Sequence, residues 1–288
     1  MNGINKLKHL FSALLIVLLL ILPAMAQDTC KATYGTHGAV FRLATGSPGE
    51  LGLLKELADT FNAKNGTTMC WVKAGSGKSL KLLKAKQVDI IMVHAPAAEK
   101  KAVADGWAVK RSLIGSNEFY IVGPKDDPAG IASATSAADA YAKIAKAKVK
   151  FLSRGDNSGT NKKELRIWKT AGIAPSGDWY LVTRDFMMAT LKKADAVNGY
   201  FMTDSSTWVA GKKGLNHIKV LFKGDPILIN TYHGLCQPEG ATPAQAHASK
   251  FIDFLNSDQA QRIMGDYGKR LYGEAMYNDA AYAKQYDH

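Results

Sequence analysis

The sequence predicts an α/β protein built from parallel βαβ units, and three observations carry that prediction. Apolar runs of strand length alternate with stretches whose apolar residues recur at helical spacing. Each early strand runs into a polar turn just before a helix opens, the order that places a parallel strand beside its predecessor. A hydrophobic content of 47% over 288 residues is ample for packed cores, in one large domain or two modest lobes.

The first 26 residues stand apart. Lys6, Lys8 and His9 precede an apolar run from Leu10 to Leu22, and Ala24-Met25-Ala26 has the small-x-small form of a cleavage site. The run is short of the roughly 20 apolar residues that a membrane span needs. The segment therefore reads as a cleaved secretory signal, with the mature chain in the periplasm. Cys30 lies too far beyond the cleavage site for lipid attachment. Cys30, Cys70 and Cys236 allow one disulfide and leave one thiol over in an oxidising compartment, with the pairing undetermined.

From there the elements follow in order. A strand at Val40–Thr45 meets Gly46-Ser47-Pro48-Gly49 and a helix from Glu50 to Lys64, with Leu53, Leu54, Leu57, Ala58 and Phe61 on one face. A second strand, Thr67–Lys73, runs into Ala74-Gly75-Ser76-Gly77-Lys78-Ser79 and a helix to Lys86. A third, Val88–Val93, ends at His94-Ala95-Pro96 before a helix to Asp105. Ligands of such sheets sit beyond the carboxyl ends of the strands, so these three turns should converge.

The pattern changes at Glu118–Gly123, a strand leaving through Pro124-Lys125-Asp126-Asp127-Pro128. A helix follows at Ser136–Lys148, then a short apolar run at Val149–Leu152. Beyond the next turn and helix come a helix near Asp185–Val197 and strands at Gly199–Thr203 and Ile218–Phe222. After Gly224-Asp225-Pro226, Ile227–Cys236 is a long apolar run. Helices at Pro243–Asn256 and Ser257–Tyr267 close the fold, and the Ala- and Tyr-rich tail after Gly273 is expected to dock only loosely. The stiff crossings at Pro124 and Pro226 suggest an inserted second lobe, residues 124–226. Residues 27–123 and 227–288 then form the first.

The stretch Ser153–Lys169, SRGDNSGTNKKELRIWK, is the one around which the chain is organised. It reads strand, turn, helix, and the turn aims unpaired N–H groups at whatever lies above the strand end. Ser158 and Thr160 add hydroxyls, and Arg154 adds a fixed charge on a planar donor fork. These groups suit an anion. They also suit a self-capped helix start, with Arg154 paired to Asp156.

Other signals exclude more than they suggest. Gly75-Ser76-Gly77-Lys78-Ser79 lacks the first glycine of a nucleotide-binding loop, because Val72 stands there. No cluster has metal-ligand spacing, so neither metal nor cofactor is expected. The formal charge of +12 is spread over lysines with no aromatic interleaving, which argues for an anionic small ligand and against nucleic acid. A secreted hydrolase would need a histidine or carboxylate within bonding reach of Ser47 or Ser158.

Four stretches carry a family likeness: VDIIMVHAPAAEKKAVADGW (88–107), FYIVGPKDDPAGI (119–131), SRGDNSGTNKKELRIWKTAGI (153–173) and MMATLKKADAVNGYFMTD (187–204). The chain resembles the substrate-binding proteins of tungstate-type ABC importers, within the type II periplasmic binding-protein fold. The resemblance implies a non-enzymatic, monomeric protein with two α/β lobes, a tungstate- or molybdate-like oxyanion in the cleft, and an ABC permease as docking partner. The converging turns, read from the residues themselves, offer as ligand residues Thr45, Gly46, Ser47, Gly75, Ser76, Arg154 as main counter-charge, Ser158, Gly159 and Thr160, with Arg184 as a second cation. Departures gather in the ligand-facing loops. The family's TTTSTxDSG is TGSPGELG (45–52), its histidine after SGT is Asn161, its GQGMGATL is RDFMMATL (184–191), and its TDRGT is TDSST (203–207). They leave open a bulkier organic carboxylate as ligand; separately, a ligand-sensing protein that docks to a receptor in place of a permease is a further alternative.

Overall fold

The computed structural model describes residues 29–287, so the signal read at 1–26 lies outside the described residues. The strands are β1 (Ala32–Tyr34), β2 (Ala39–Thr45), β3 (Thr67–Lys73), β4 (Ile90–Val93), β5 (Val109–Pro124), β6 (Phe151–Ser153), β7 (Tyr180–Val182), β8 (Tyr200–Asp204), β9 (Ile218–Phe222) and β10 (Ile229–Cys236). The helices that matter below are α1 (Ser47–Glu50), α2 (Leu53–Asn65), α3 (Ser76–Lys84), α4 (Pro96–Ala104), α5 (Ala137–Ala147), α6 (Gly159–Thr170), α7 (Met187–Ala196), α8 (Ser205–Gly211), α9 (Gln245–Leu255) and α10 (Asp258–Asp266). Hydrogen-bonded strands run in the order β1-β3-β2-β4-β10-β5-β8-β6-β7, with β9 also on β5. The βαβ units are parallel as expected: β2 pairs in parallel with β3 and β4, and β6 with β7 and β8.

Period-two alternation sorts the first half of the sheet into two cores. Phe41, Leu43, Met69, Trp71, Ile90 and Met92 face α2, α9 and α10, where Phe41, Phe61 and Phe251 meet ring to ring. Ala44, Cys70, Val72, Ile91 and Val93 face the opposite way, toward Leu80, Leu83 and Ala102 of α3 and α4. A third core gathers Phe119, Ile121, Tyr141, Phe151, Trp168, Leu191 and Phe201 from β5, β6, β8 and α5–α7. Val209 of α8 packs instead into the first of these cores.

β5 belongs to both halves. Over 16 residues it pairs first with β10, as far as Glu118, and then with β8 from Phe119. Its first half is not legible as a strand in the sequence, because Lys110, Arg111, Ser112 and Gly115 break the alternation; β10 lies antiparallel against it and supplies the ladder. On the other crossing, Lys163 of α6 donates to the carbonyls of Ile227 (2.8 Å) and Ile229 (2.9 Å).

Three expectations are corrected locally. The helix expected from Glu50 is two helices, broken at Gly52. There φ is +93° and a Cβ would come 2.5 Å from the Tyr267 hydroxyl, so only glycine fits. β7 and α8 form where no element was expected. The tail is not loose: Met276 and Tyr277 are buried, and Asn278 exchanges backbone bonds with Ser116. Asp287 reaches Arg111 (3.2 Å) and His233 (3.1 Å). The disulfide joins Cys30 to Cys70 and ties β1 to β3, leaving Cys236 buried and free.

Candidate functional site

The turns after β2, β3 and β4 and the turn after β6 come together around one small cavity. Gly46, Ser47, Gly75, Ser76, Arg154 and Ser158 line it as the sequence suggested. Pro48, Met92, His94, Phe186 and Tyr232 complete the wall. A water molecule's centre has only about 10 Å³ in which to move, roughly the allowance of one water, so the space is tight.

Two helix starts face each other across it. α3 begins at Ser76 behind Gly75, and α6 begins at Gly159 behind Ser158, leaving the first N–H groups of each without intrahelical partners. The approach is close enough to require glycine. A Cβ on Gly75 would lie 3.1 Å from Ser158 Cβ, and one on Gly77 would lie 2.4 Å from the Asn157 carbonyl oxygen. Ser158 Oγ accepts from the Asn161 N–H (3.2 Å), so its own proton remains available to donate. Ser76 Oγ likewise accepts, from the His94 N–H at 3.2 Å.

Arg154 is 4% exposed, although it sits on a turn. Its Nη2 donates to Asp156 at 2.5 Å and its Nε to the Asp185 carbonyl at 3.1 Å. The local ion pair and the cavity wall are therefore both real. Asp156 also accepts from the Ser158 N–H (3.1 Å), which draws the turn tight. Beneath the turn, Glu164 accepts from Ser153 (2.7 Å), Trp168 (3.1 Å) and Tyr180 (2.6 Å). Burial raises the Glu164 carboxyl above its ordinary value, the three donors opposing that shift.

His94 has a defined role in the wall. Asn230 donates from Nδ2 to Asn117 Oδ1 (2.8 Å), so its Oδ1 faces His94 Nδ1 at 2.8 Å and Nδ1 carries the proton. Burial first, and the charge of Arg154 second, push the imidazole down to about 3. His94 is thus neutral and does not compete with Arg154 as a cation. Tyr232 stays a neutral phenol, raised by burial and by the Asp204 carboxylate.

The remaining expected residues sit differently. Thr45 is fully buried and donates to the Met92 carbonyl (2.8 Å), a structural bond behind the wall. Gly159 faces the His94 ring. Thr160 is buried with its Oγ1 lacking a hydrogen-bond partner among the described residues, a costly condition that a ligand or water oxygen would relieve. Arg184 is exposed, with φ +57°, and does not line the cavity; Phe186 does. Phe186 lies in the RDFMMATL departure (184–191) expected to face the ligand, whereas no pattern in the sequence marks Tyr232 as lining. His94 is marked there only as part of a converging turn.

Ser47 donates to Asp204 at 3.3 Å, the contact a hydrolase reading would look for. Asp204 also caps α8 through its other oxygen, Oδ1, which accepts from Ser206 (2.5 Å) and the Thr207 N–H (2.7 Å). Among the described residues neither Ser47 nor Ser158 bonds to a histidine. Among those residues Ser158 has no base within bonding reach, whereas Ser47 has the Asp204 carboxylate, held as a helix cap and bonded to no histidine.

A family model described as a PBP superfamily domain matches residues 28–259. The tungstate-binding protein TupA of Peptoclostridium acidaminophilum is 32% identical over 96% of this chain and 99% of its own length. The solved tungstate ABC transporter structure from Geobacter sulfurreducens is 37% identical, covering 80% of this chain and 100% of that one at a TM-score of 0.72. The solved TupA of Desulfovibrio alaskensis G20 is 36% identical over 84% and 99%, with a TM-score of 0.69.

Proposed function

Because the chain belongs to the PBP superfamily, with the type II binding-protein fold and the relatives of a tungstate-type substrate-binding protein, we propose that it captures a tungstate- or molybdate-like oxyanion and delivers it to an ABC permease. The relatives are binding proteins, not enzymes, and the chain acts as one. It works in the periplasm as a monomer, exported by a leader within residues 1–26.

One observation carries the ligand class: a buried arginine and two helix starts converge on a single tight cavity. A charge taken out of water must be paired and hydrogen-bonded. Arg154 supplies the charge, while Ser158, Ser76 and the N–H groups of Gly159 and Thr160 supply neutral donors. For closure, residues 124–226 form a lobe that hinges against 27–123 and 227–288. The switch of partners within β5 at Glu118–Phe119 and the grip of Lys163 on the second crossing support that division.

The test is calorimetry on protein stripped of ligand by unfolding and refolding, across tungstate, molybdate, sulfate, phosphate and small carboxylates. Tungstate or molybdate should bind tightest, and at 100 times its dissociation constant should stabilise the protein by about 2.7 kcal/mol. Folded protein that binds none of them below millimolar concentration would overturn the reading.

A further inference from the structure

We propose that Phe186 is a lid over the anion cavity, latched by Lys73 of the opposite lobe, and that this latch sets how long the ligand stays and how large it can be. The inference rests on the anion-site reading above.

Phe186 lines the cavity and caps the start of α7. Its backbone is held in place by the arginine turn: the Arg184 N–H donates to the Arg154 carbonyl (2.9 Å), and Arg154 Nε donates to the Asp185 carbonyl (3.1 Å). The ring therefore hangs beside the guanidinium, 5.5 Å from its carbon. From the first lobe, Lys73 at the end of β3 sets its Nζ 4.1 Å from the centre of the same ring. Lys73 is itself fixed by Glu50, at 3.0 Å, from the end of α1.

The chain of contacts thus runs Glu50, Lys73, Phe186, Arg154, crossing from one lobe to the other at the cavity wall. A cation over an aromatic face is attracted by the ring quadrupole, more strongly when partly shielded from water. Lys73 and Glu50 are each about a quarter exposed, which gives that partial shielding. For the ligand to leave, the lobes must part, and parting them separates Lys73 from the ring. The latch acts on release. The ring also occupies space at the wall, so removing it enlarges the cavity beside Arg154.

The experiment measures release of tungstate by stopped flow in wild type, Lys73→Met, Phe186→Leu and the double variant, with Phe186→Gly probed against malonate and phosphate. Either single variant should release tungstate about 3- to 30-fold faster with little change in association rate. The double variant should release no faster than the faster single, a non-additivity that general loosening does not produce. Phe186→Gly should gain binding of malonate. Wild-type release rates, or strictly additive effects, overturn the latch while leaving the anion site standing. If the wild type binds no anion, the site reading fails. The latch is then judged by small-angle scattering of the free protein. Expansion in Lys73→Met and Phe186→Leu supports it, and unchanged dimensions overturn it. Thermal melts establish that each variant is folded.

Discussion

Gly159 lies directly against the imidazole of His94: a Cβ built on it would fall 2.4 Å from both Cε1 and Nδ1 and 2.7 Å from the His94 carbonyl oxygen. The two residues sit at the end of β4 and the start of α6, on opposite sides of the cleft. Neither can yield easily, since the ring is bonded to Asn230 and Gly159 opens a helix. Gly159→Ala should therefore hold the two sides apart. The expected result is affinity lower by about 1–3 kcal/mol, the usual cost of overpacking, in a protein whose far-ultraviolet spectrum is unchanged. Wild-type affinity in calorimetry would show that the contact is not kept when ligand binds.

Arg154 separates the ligand reading from a purely local one. Removing the counter-charge of a buried anion costs about 2–5 kcal/mol of affinity, whereas loss of an exposed pair costs no more than about 1 kcal/mol of stability. Arg154→Ala is expected to lose binding by the larger amount, and Arg154→Lys to fall between, because it keeps charge without the fork. Some stability will go as well, since Asp156 loses its partner. An alanine variant that melts lower yet binds normally would take Arg154 out of the site.

His94 makes stability depend on pH. Its folded value is about 3, against an ordinary 6.5, owing to burial and Arg154, with Lys163 adding to the shift and Asn230 and Asp156 opposing it. Between those two values the unfolded chain binds a proton that the folded protein does not, so stability falls as pH falls. Above 6.5 the contribution is fully present; below it, up to about 1.4 kcal/mol is lost per pH unit until about 3. Substituting His94→Gln removes this slope. Denaturant melts from pH 7 to 4 should show wild type losing its advantage over the variant; parallel curves would count against the shift.

The Cys30–Cys70 bond closes a loop of sequence separation 40 and pins β1 against β3. Cross-links of that span contribute about 3–4 kcal/mol through the unfolded chain. Reduction, or Cys30→Ser with Cys70→Ser, should lower the melting temperature markedly while anion affinity at 25 °C stays near wild type, because neither sulfur reaches the cavity. A reduced protein that melts like the oxidised one would show that the bond is dispensable.

What the sequence determined by itself was local. Hydrophobic periodicity at Phe41-Leu43, Leu53-Leu57 and Ile90-Met92 marks its own elements, and a helix start such as Ser158-Gly159 announces unpaired N–H groups wherever it is found. Ser47, Gly75, Ser76, Arg154 and Ser158 are legible as lining for that reason, each from its immediate neighbours in the chain. Tertiary structure decided what depends on a distant partner. Val109–Asn117 is a strand only because β10 lies beside it, and the tail is ordered only because Ser116 and Arg111 receive it. Tyr232 and Phe186 enter the cavity wall, and Arg184 leaves it, through the way the two halves close. Nothing within a few residues of those positions encodes the other side of the cleft. Ser47 meets Asp204 across 157 positions, a contact that exists only once both lobes have folded.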